Sequence, residues 1–112
     1  MLYYDDVKKM SKSEIAAGLA SKKDKEISQA LLSYIFFGES WEDKQKLCLE
    51  LLHSSSKNIV LLAITCLGHI ARIHSQLDKE KVILALESVK ELNRDFEGVI
   101  DDSIDDIEMF LE

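Results

Sequence analysis

Segments in which apolar residues recur every three or four positions alternate with short polar breaks along the chain. This spacing places apolar side chains on one side of an α-helix, so the pattern predicts amphipathic helices that each bury one face. The run 34–37 is apolar at every position and can also be read as a strand, but its stripe begins upstream at Ile27 and no partner strand is evident, which favours helix. The predicted helices cover about residues 12–20, 40–53, 57–74, 78–92 and 95–111, and a further one that starts at 21 or 24 and ends at 37.

Residues typical of helix starts stand at the predicted boundaries. Ser11 and Glu14 have the spacing of a capping box. Either Ser21 or Asp24 can cap the second helix. The chain has no proline, and each proline inside a helix would cost about 3 kcal/mol. Further start signals are Ser40, Asp78 and Asp95, and Gly38 supplies a stop signal.

The last two predicted hairpins align with each other at an offset of 40 residues, so that Leu52 falls on Leu92 and Ile64 on Ile104. A two-helix unit of about this period is typical of the HEAT and armadillo class. The sequence therefore predicts an all-α fold, with three helical hairpins stacked as a short HEAT/armadillo-like α-solenoid. We expect one domain, residues 1–112, made of an N-terminal capping hairpin (11–38), a central hairpin (40–74) and an acidic C-terminal hairpin (78–112).

The segment 59–72 resembles the second helix of a HEAT repeat. Val60, Ala63 and the Leu67-Gly68 pair stand where that family has its valine, alanine and leucine-glycine. The usual proline of the first helix is missing. Because HEAT-like repeats are a scaffold, this resemblance implies a fold and leaves the activity open.

Charge is unevenly distributed along the chain. Fourteen basic and twenty-one acidic residues give a formal charge of -7. Residues 1–77 carry ten basic and nine acidic residues, whereas residues 78–112 carry four and twelve, a net charge of -8. Such a charge repels phosphate backbones and anionic lipid, so neither nucleic acid nor a membrane is a predicted partner. Its concentration in the last hairpin predicts one acidic face.

No targeting segment is visible. The first residues lack the basic and apolar regions of a secretory signal, and the apolar run 59–71 is too short and too polar to span a bilayer. We therefore expect a cytoplasmic protein in which Cys48 and Cys66 are reduced.

The design as a whole, a small acidic protein of three hairpins without catalytic motifs, resembles bacterial immunity proteins that neutralise polymorphic toxins, including those of contact-dependent growth inhibition (CDI) systems. Many immunity proteins are helical, and many of their toxins are basic nucleases. The resemblance implies a toxin as partner. It assigns no residue a role, because no shared motif can be placed on this sequence.

The sixth predicted helix carries carboxylates at spacings of four, three and four residues, with two more beside them. Like charges at these spacings repel, which suggests selection for a cationic partner, although a charge run can also be an ordinary solvated face. The acidic residues are Asp101, Asp102, Asp105, Asp106, Glu108 and Glu112.

In HEAT-like stacks the second helices of successive hairpins are neighbours. The outward side of the fourth helix should therefore adjoin the carboxylates and add Leu62, His69 and Arg72 to one partner-binding surface. Alternatively, Leu62 packs under the first hairpin.

Candidates for chemistry are few. Cys66, His69 and His74 can begin a metal site, but ligands on one helix do not complete a tetrahedral set, which favours a core cysteine with packing histidines. No glycine-rich phosphate loop or nucleophile elbow is present. We therefore predict no metal, no cofactor and no enzymatic activity.

The predicted function is that of an immunity protein, monomeric or in a 1:1 complex, whose acidic surface occludes the active site of a basic nuclease toxin. The alternative is a HEAT-like structural or adaptor module within a larger assembly.

Overall fold

The structure, a computed structural model, describes residues 7–111. Within this range it contains α-helices and no β-strand, so the predicted all-α fold is confirmed. None of the helices in residues 7–111 combines the length and the apolar character needed to cross a membrane. The helices are α1 (Lys12–Leu19), α2 (Asp24–Phe37), α3 (Trp41–Leu51), α4 (Lys57–His74), α5 (Lys79–Leu92) and α6 (Glu97–Phe110), with a 3-10 turn (Arg94–Phe96) before α6.

Side chains cap three helices as the sequence predicts. The amide of Glu14 donates to Ser11 Oγ at 3.2 Å, and the amide of Ser11 donates to Glu14 Oε1 at 2.9 Å, which completes the capping box of α1. Ser40 and Asp78 accept backbone N–H groups at the starts of α3 and α5, at 3.2 and 3.3 Å. Each such cap contributes about 1 kcal/mol to stability.

The predicted cap of α2 is wrong. The residue before this helix is Lys23, which makes no capping side-chain bond, and Asp24 is the first helical residue. Ser21 acts one step earlier: its hydroxyl accepts from the amide of Lys23 at 3.0 Å and donates to Glu26 Oε1 at 2.6 Å. Ser21 therefore stabilises the turn that leads into α2 and does not cap the helix itself.

The start of α6 also differs from the prediction, since the helix begins at Glu97 and not at Asp95. Asn93 Oδ1 accepts from the amide of Asp95 at 3.0 Å, and the chain then makes the turn Arg94–Phe96. This local bond, which the Asn93 side chain accepts, competes with helical hydrogen bonding, so α6 starts two residues later than predicted.

The described chain divides into two compact units. The first contains α1 and α2, which form a hairpin. A Cβ atom built on Gly18 would lie 2.6 Å from Ala30 Cβ and 3.0 Å from the carbonyl oxygen of Glu26, so only glycine permits this approach. The amide of Met10 donates to the buried Ser33 Oγ at 2.9 Å and ties the segment before α1 to α2.

The second unit begins at Ser40 and is built around α4. Helix α4 packs against α3 and α6, and α5 packs against α6. The second helices of two successive hairpins are thus neighbours. Fully buried side chains from all four helices fill this core: Cys48, Ile59, Ile64, Leu67, Ile70, Val82, Leu86, Ile100 and Ile107.

Two polar side chains of α3 are buried in this unit. Lys44 is 1% exposed, and its Nζ lies 2.9 Å from His74 Nε2 at the end of α4. An ammonium donor requires a neutral His74 ring that carries its proton on Nδ1. Gln45 Oε1 accepts from the amide of Asp78 at 2.7 Å. These contacts tie α3 to the end of α4 and to the start of α5.

Candidate partner-binding surface

Helix α6 has one buried side and one acidic side. Ile100, Ser103 and Ile107 are buried, because spacings of three and four residues return to the same side of a helix. Carboxylates occupy most of the remaining circumference. We define the acidic face as Asp101, Asp102, Asp105, Asp106 and Glu108.

Two small residues set the distance between α6 and α4. Ser103 Oγ donates to the carbonyl oxygen of Ile64 at 2.7 Å, and this bond is buried. A Cβ atom on Gly68 would lie 3.3 Å from both Ser103 Oγ and Asp106 Oδ2. A larger side chain at Gly68 would therefore press on α6, and the acidic face depends on this close packing for its position beside α4.

One border of the acidic face is neutralised from α5. Lys90 Nζ donates to Asp101 Oδ1 at 2.9 Å and lies 3.8 Å from Glu97 Oε1. The hydrogen bond with Asp101 raises the pKa of Lys90, so the ammonium stays charged. Since both carboxylates are about half exposed, these pairs contribute little to stability, and their main effect is to cancel charge locally.

The other border is neutralised from α4. Arg72 Nη2 donates to Asp106 Oδ1 at 3.4 Å, and the guanidinium carbon lies 5.5 Å from the centroid of the Phe110 ring. The Arg72 side chain remains half exposed. The ion pair and the cation–π contact hold Arg72 against α6. The structure thus places Arg72 beside the acidic face, as the sequence predicts.

The other three carboxylates of the acidic face, Asp102, Asp105 and Glu108, are exposed, and we call them the unpaired ridge. None of them forms a salt bridge with another residue of the range 7–111. Asp105 is three residues from each of the other two, so each pair repels by a few tenths of a kcal/mol. Glu108 also lies in the last turn of α6, where the helix dipole disfavours an anion by about 0.3–1 kcal/mol. A cation bound here would relieve both costs.

The remaining residues of the predicted partner-binding surface differ in how far they are exposed. Leu62 is half-buried, and Glu112 lies outside the described residues. The prediction that His69 faces outward is wrong, because its side chain is buried and the residue is 7% exposed. Burial lowers the pKa of His69, and nearby Arg72 lowers it further while Asp106 opposes the shift. His69 supports the surface from below and presents almost no area to a partner.

The three residues considered for a metal site do not converge. Cys66 is buried next to Cys48 and helps to raise the pKa of the Cys48 thiol, and His74 Nε2 lies 2.9 Å from Lys44 Nζ. Within residues 7–111, no group of three His, Cys, Asp or Glu side chains is placed to hold a metal ion.

Lys90, which borders the acidic face, was not among the predicted site residues. A signal was present, because Lys90 continues the four-residue spacing of Val82 and Leu86, which are both buried. A lysine on the inner edge of a predicted helix that is followed by an acidic helix indicates a cross-hairpin ion pair.

Comparison with known proteins adds a structural relative. No protein-family model and no curated protein sequence matches the chain. The crystal structure of a CDI complex from Cupriavidus taiwanensis LMG 19424 contains a chain that is similar to it, with a TM-score of 0.83 and 26% sequence identity. The match covers 98% of this chain and 98% of that chain. The resemblance to CDI proteins seen in the sequence is therefore confirmed at the level of the fold, which this protein shares with a chain of a CDI complex.

Proposed function

We propose that the protein is an immunity protein of the CDI type, which binds a cognate toxin in the cytoplasm and so protects the cell that makes it. The observation that carries this proposal is the similarity, along 98% of both chains, to a chain of a CDI complex. In this proposal the protein acts by binding and catalyses no reaction.

The proposed partner is a basic nuclease domain, and the acidic face is the proposed contact surface. A nuclease active site binds phosphates, so cationic groups line it. The unpaired ridge offers three carboxylates that no described side chain neutralises, and these would stand in for substrate phosphates and occlude the cleft. Opposite charges also accelerate encounter, while close packing of the two surfaces sets the rate of dissociation.

The neighbouring α4 surface would complete the contact. Arg72 is half exposed at the border of the acidic face, and Leu62 is half-buried on the same helix. A charged centre beside apolar and hydrogen-bonding groups is typical of a specific interface. A 1:1 complex follows, because the acidic face occurs once per chain.

The first test asks whether a toxin partner exists. The toxin domain encoded immediately upstream should be toxic when expressed alone, and harmless when this protein is expressed with it. The purified pair should co-elute as a 1:1 complex. An upstream product that is harmless, or that forms no complex with this protein, would contradict the proposed function and would favour an adaptor role.

The second test asks whether the unpaired ridge makes the contact. Changing Asp102, Asp105 and Glu108 together to lysine should slow association at least roughly tenfold and abolish protection. The parent protein should associate more slowly as salt rises, because screening weakens steering.

A matched control carries the same change of charge on another helix. Glu80, Glu87 and Glu91 are exposed on α5 and, within residues 7–111, none of them forms a salt bridge. Changing these three to lysine should leave protection intact. If both triple variants lose protection equally, protection depends on the net charge of the protein and not on contacts made by the acidic face.

A further inference from the structure

A second surface lies on the other side of α5 from the acidic face, within the unit that begins at Ser40. It is a groove of about 440 Å³ between the turn that joins α3 to α4 and the C-terminal half of α5. Its floor is apolar and belongs to the core, since Leu52, Val60 and Phe96 are each less than a tenth exposed. Ala85, Val89 and Leu92 of α5 form one wall.

The apolar surface continues out of the groove at Leu92. This side chain is 88% exposed at the last position of α5. Single exposed leucines are common, but one that extends an apolar groove enlarges a contiguous patch, and such patches mark binding sites. The volume of the groove is sufficient for several side chains of a partner.

The charge of the groove is opposite to that of its surroundings. The segment 78–112, which supplies one wall, has a net charge of -8, yet no described residue that lines the groove is acidic. The opposite wall carries Lys57 and His53, together with the hydroxyl groups of Ser54 and Ser55. A carboxylate beside Lys57 would gain a cationic partner and would meet no like charge within the groove.

We propose that this groove is a second protein-docking surface, which takes a segment of a partner protein that presents apolar side chains together with a carboxylate. The apolar side chains lie over Val60 and Val89, and the carboxylate faces Lys57. This surface is distinct from the acidic face, so the inference does not depend on a basic toxin as partner.

The test uses the full chain with labelled methyl groups and follows their NMR signals as peptide is added. The probe is an acetylated, amidated hexapeptide of sequence Leu-Glu-Leu-Leu-Glu-Phe, and its comparison peptide has lysine in place of both glutamates. We expect the acidic peptide to shift the methyl signals of Leu52, Val60, Val89 and Leu92 saturably, and the lysine peptide to bind about tenfold more weakly.

Two matched variants locate the carboxylate. Lys57 and Lys79 are both exposed first residues of helices, α4 and α5, but only Lys57 lines the groove. Glutamate is favourable at the first turn of a helix, so both K57E and K79E should remain folded. The peptide shifts should be lost in K57E and retained in K79E.

Three results would overturn the proposal. The first is the absence of saturable groove shifts at about 5 mM peptide, and the second is equal binding to K57E and to the parent. The third is a concentration-dependent dimer whose contacts map to the groove, which would assign the groove to a second copy of the chain. The triple lysine variant of the unpaired ridge should still bind the peptide, so failure of this proposal is distinguishable from failure of the toxin-binding function.

Discussion

Replacing Gly18 by alanine tests how closely α1 approaches α2. Alanine is favoured over glycine in a helix by up to about 1 kcal/mol, so propensity alone predicts a more stable protein. The new Cβ atom, however, would lie 2.6 Å from Ala30 Cβ, whereas carbon atoms in contact are ordinarily about 3.5–4.0 Å apart. The backbone oxygen of Glu26, at 3.0 Å, cannot swing aside as a side chain would.

Helices α1 and α2 must therefore separate by about 1 Å to accept the methyl group. Overpacking of this kind costs about 1–3 kcal/mol, which exceeds the gain in propensity. We expect G18A to lose about 1 kcal/mol of unfolding free energy. In urea denaturation the midpoint should fall while the slope stays unchanged, because the surface exposed on unfolding is nearly the same.

Gly98 provides the matched control. It lies in the first turn of α6, and a Cβ atom there would meet no described atom within 4 Å. G98A should therefore gain about 0.5–1 kcal/mol from the restricted unfolded chain. Amide hydrogen exchange should localise the loss in G18A to α1 and α2. A G18A protein as stable as its parent would refute the close approach of the two helices.

Two further predictions concern buried polar groups. Burial lowers the pKa of both His69 and His74 from the ordinary value of 6.5, so the unfolded state binds protons more readily and acid favours unfolding. The contribution of both side chains to the free energy of unfolding is intact above pH 6.5 and is lost as the pH falls through their lowered pKa values. Urea unfolding at about pH 8 and about pH 5 should show this loss of stability, and the loss should be smaller in H74Q. Equal stability of the parent protein at both pH values would contradict the prediction. Changing Ser103 to alanine removes the buried 2.7 Å hydrogen bond to the carbonyl oxygen of Ile64, and should cost about 1 kcal/mol in the same assay; an unchanged midpoint would show that this bond is not needed to hold α6 against α4.

Local signals predicted the helices well. The boundaries of α4 follow from an uninterrupted apolar stripe, and the capping box of α1 involves residues only three positions apart. Such features depend on neighbours in sequence, so one sequence is enough to reveal them. The same local reasoning was wrong at Asp95, whose amide donates to Asn93 Oδ1 within a 3-10 turn that precedes the helix.

The candidate surface was predicted less completely, because its charge pattern depends on contacts between distant residues. Arg72 and Asp106 are separated by 34 positions, and the sequence places each on a face without pairing the two. The burial of His69 could not be read from its polar character either. The burial of Lys44 was indicated by its position, since it stands four residues before the buried Cys48 on the inward side of α3.

The way in which Lys90 and Arg72 bracket the acidic face has an evolutionary consequence. Asp101 and Asp106 have partners within the protein, so a change at either one disturbs a contact on a neighbouring helix. Asp102, Asp105 and Glu108 have no such tie among the described residues, and their mutual repulsion means that replacing any one of them costs the fold almost nothing. Under the proposed function, substitutions can therefore accumulate at these three positions and change which toxin is bound while the scaffold stays intact.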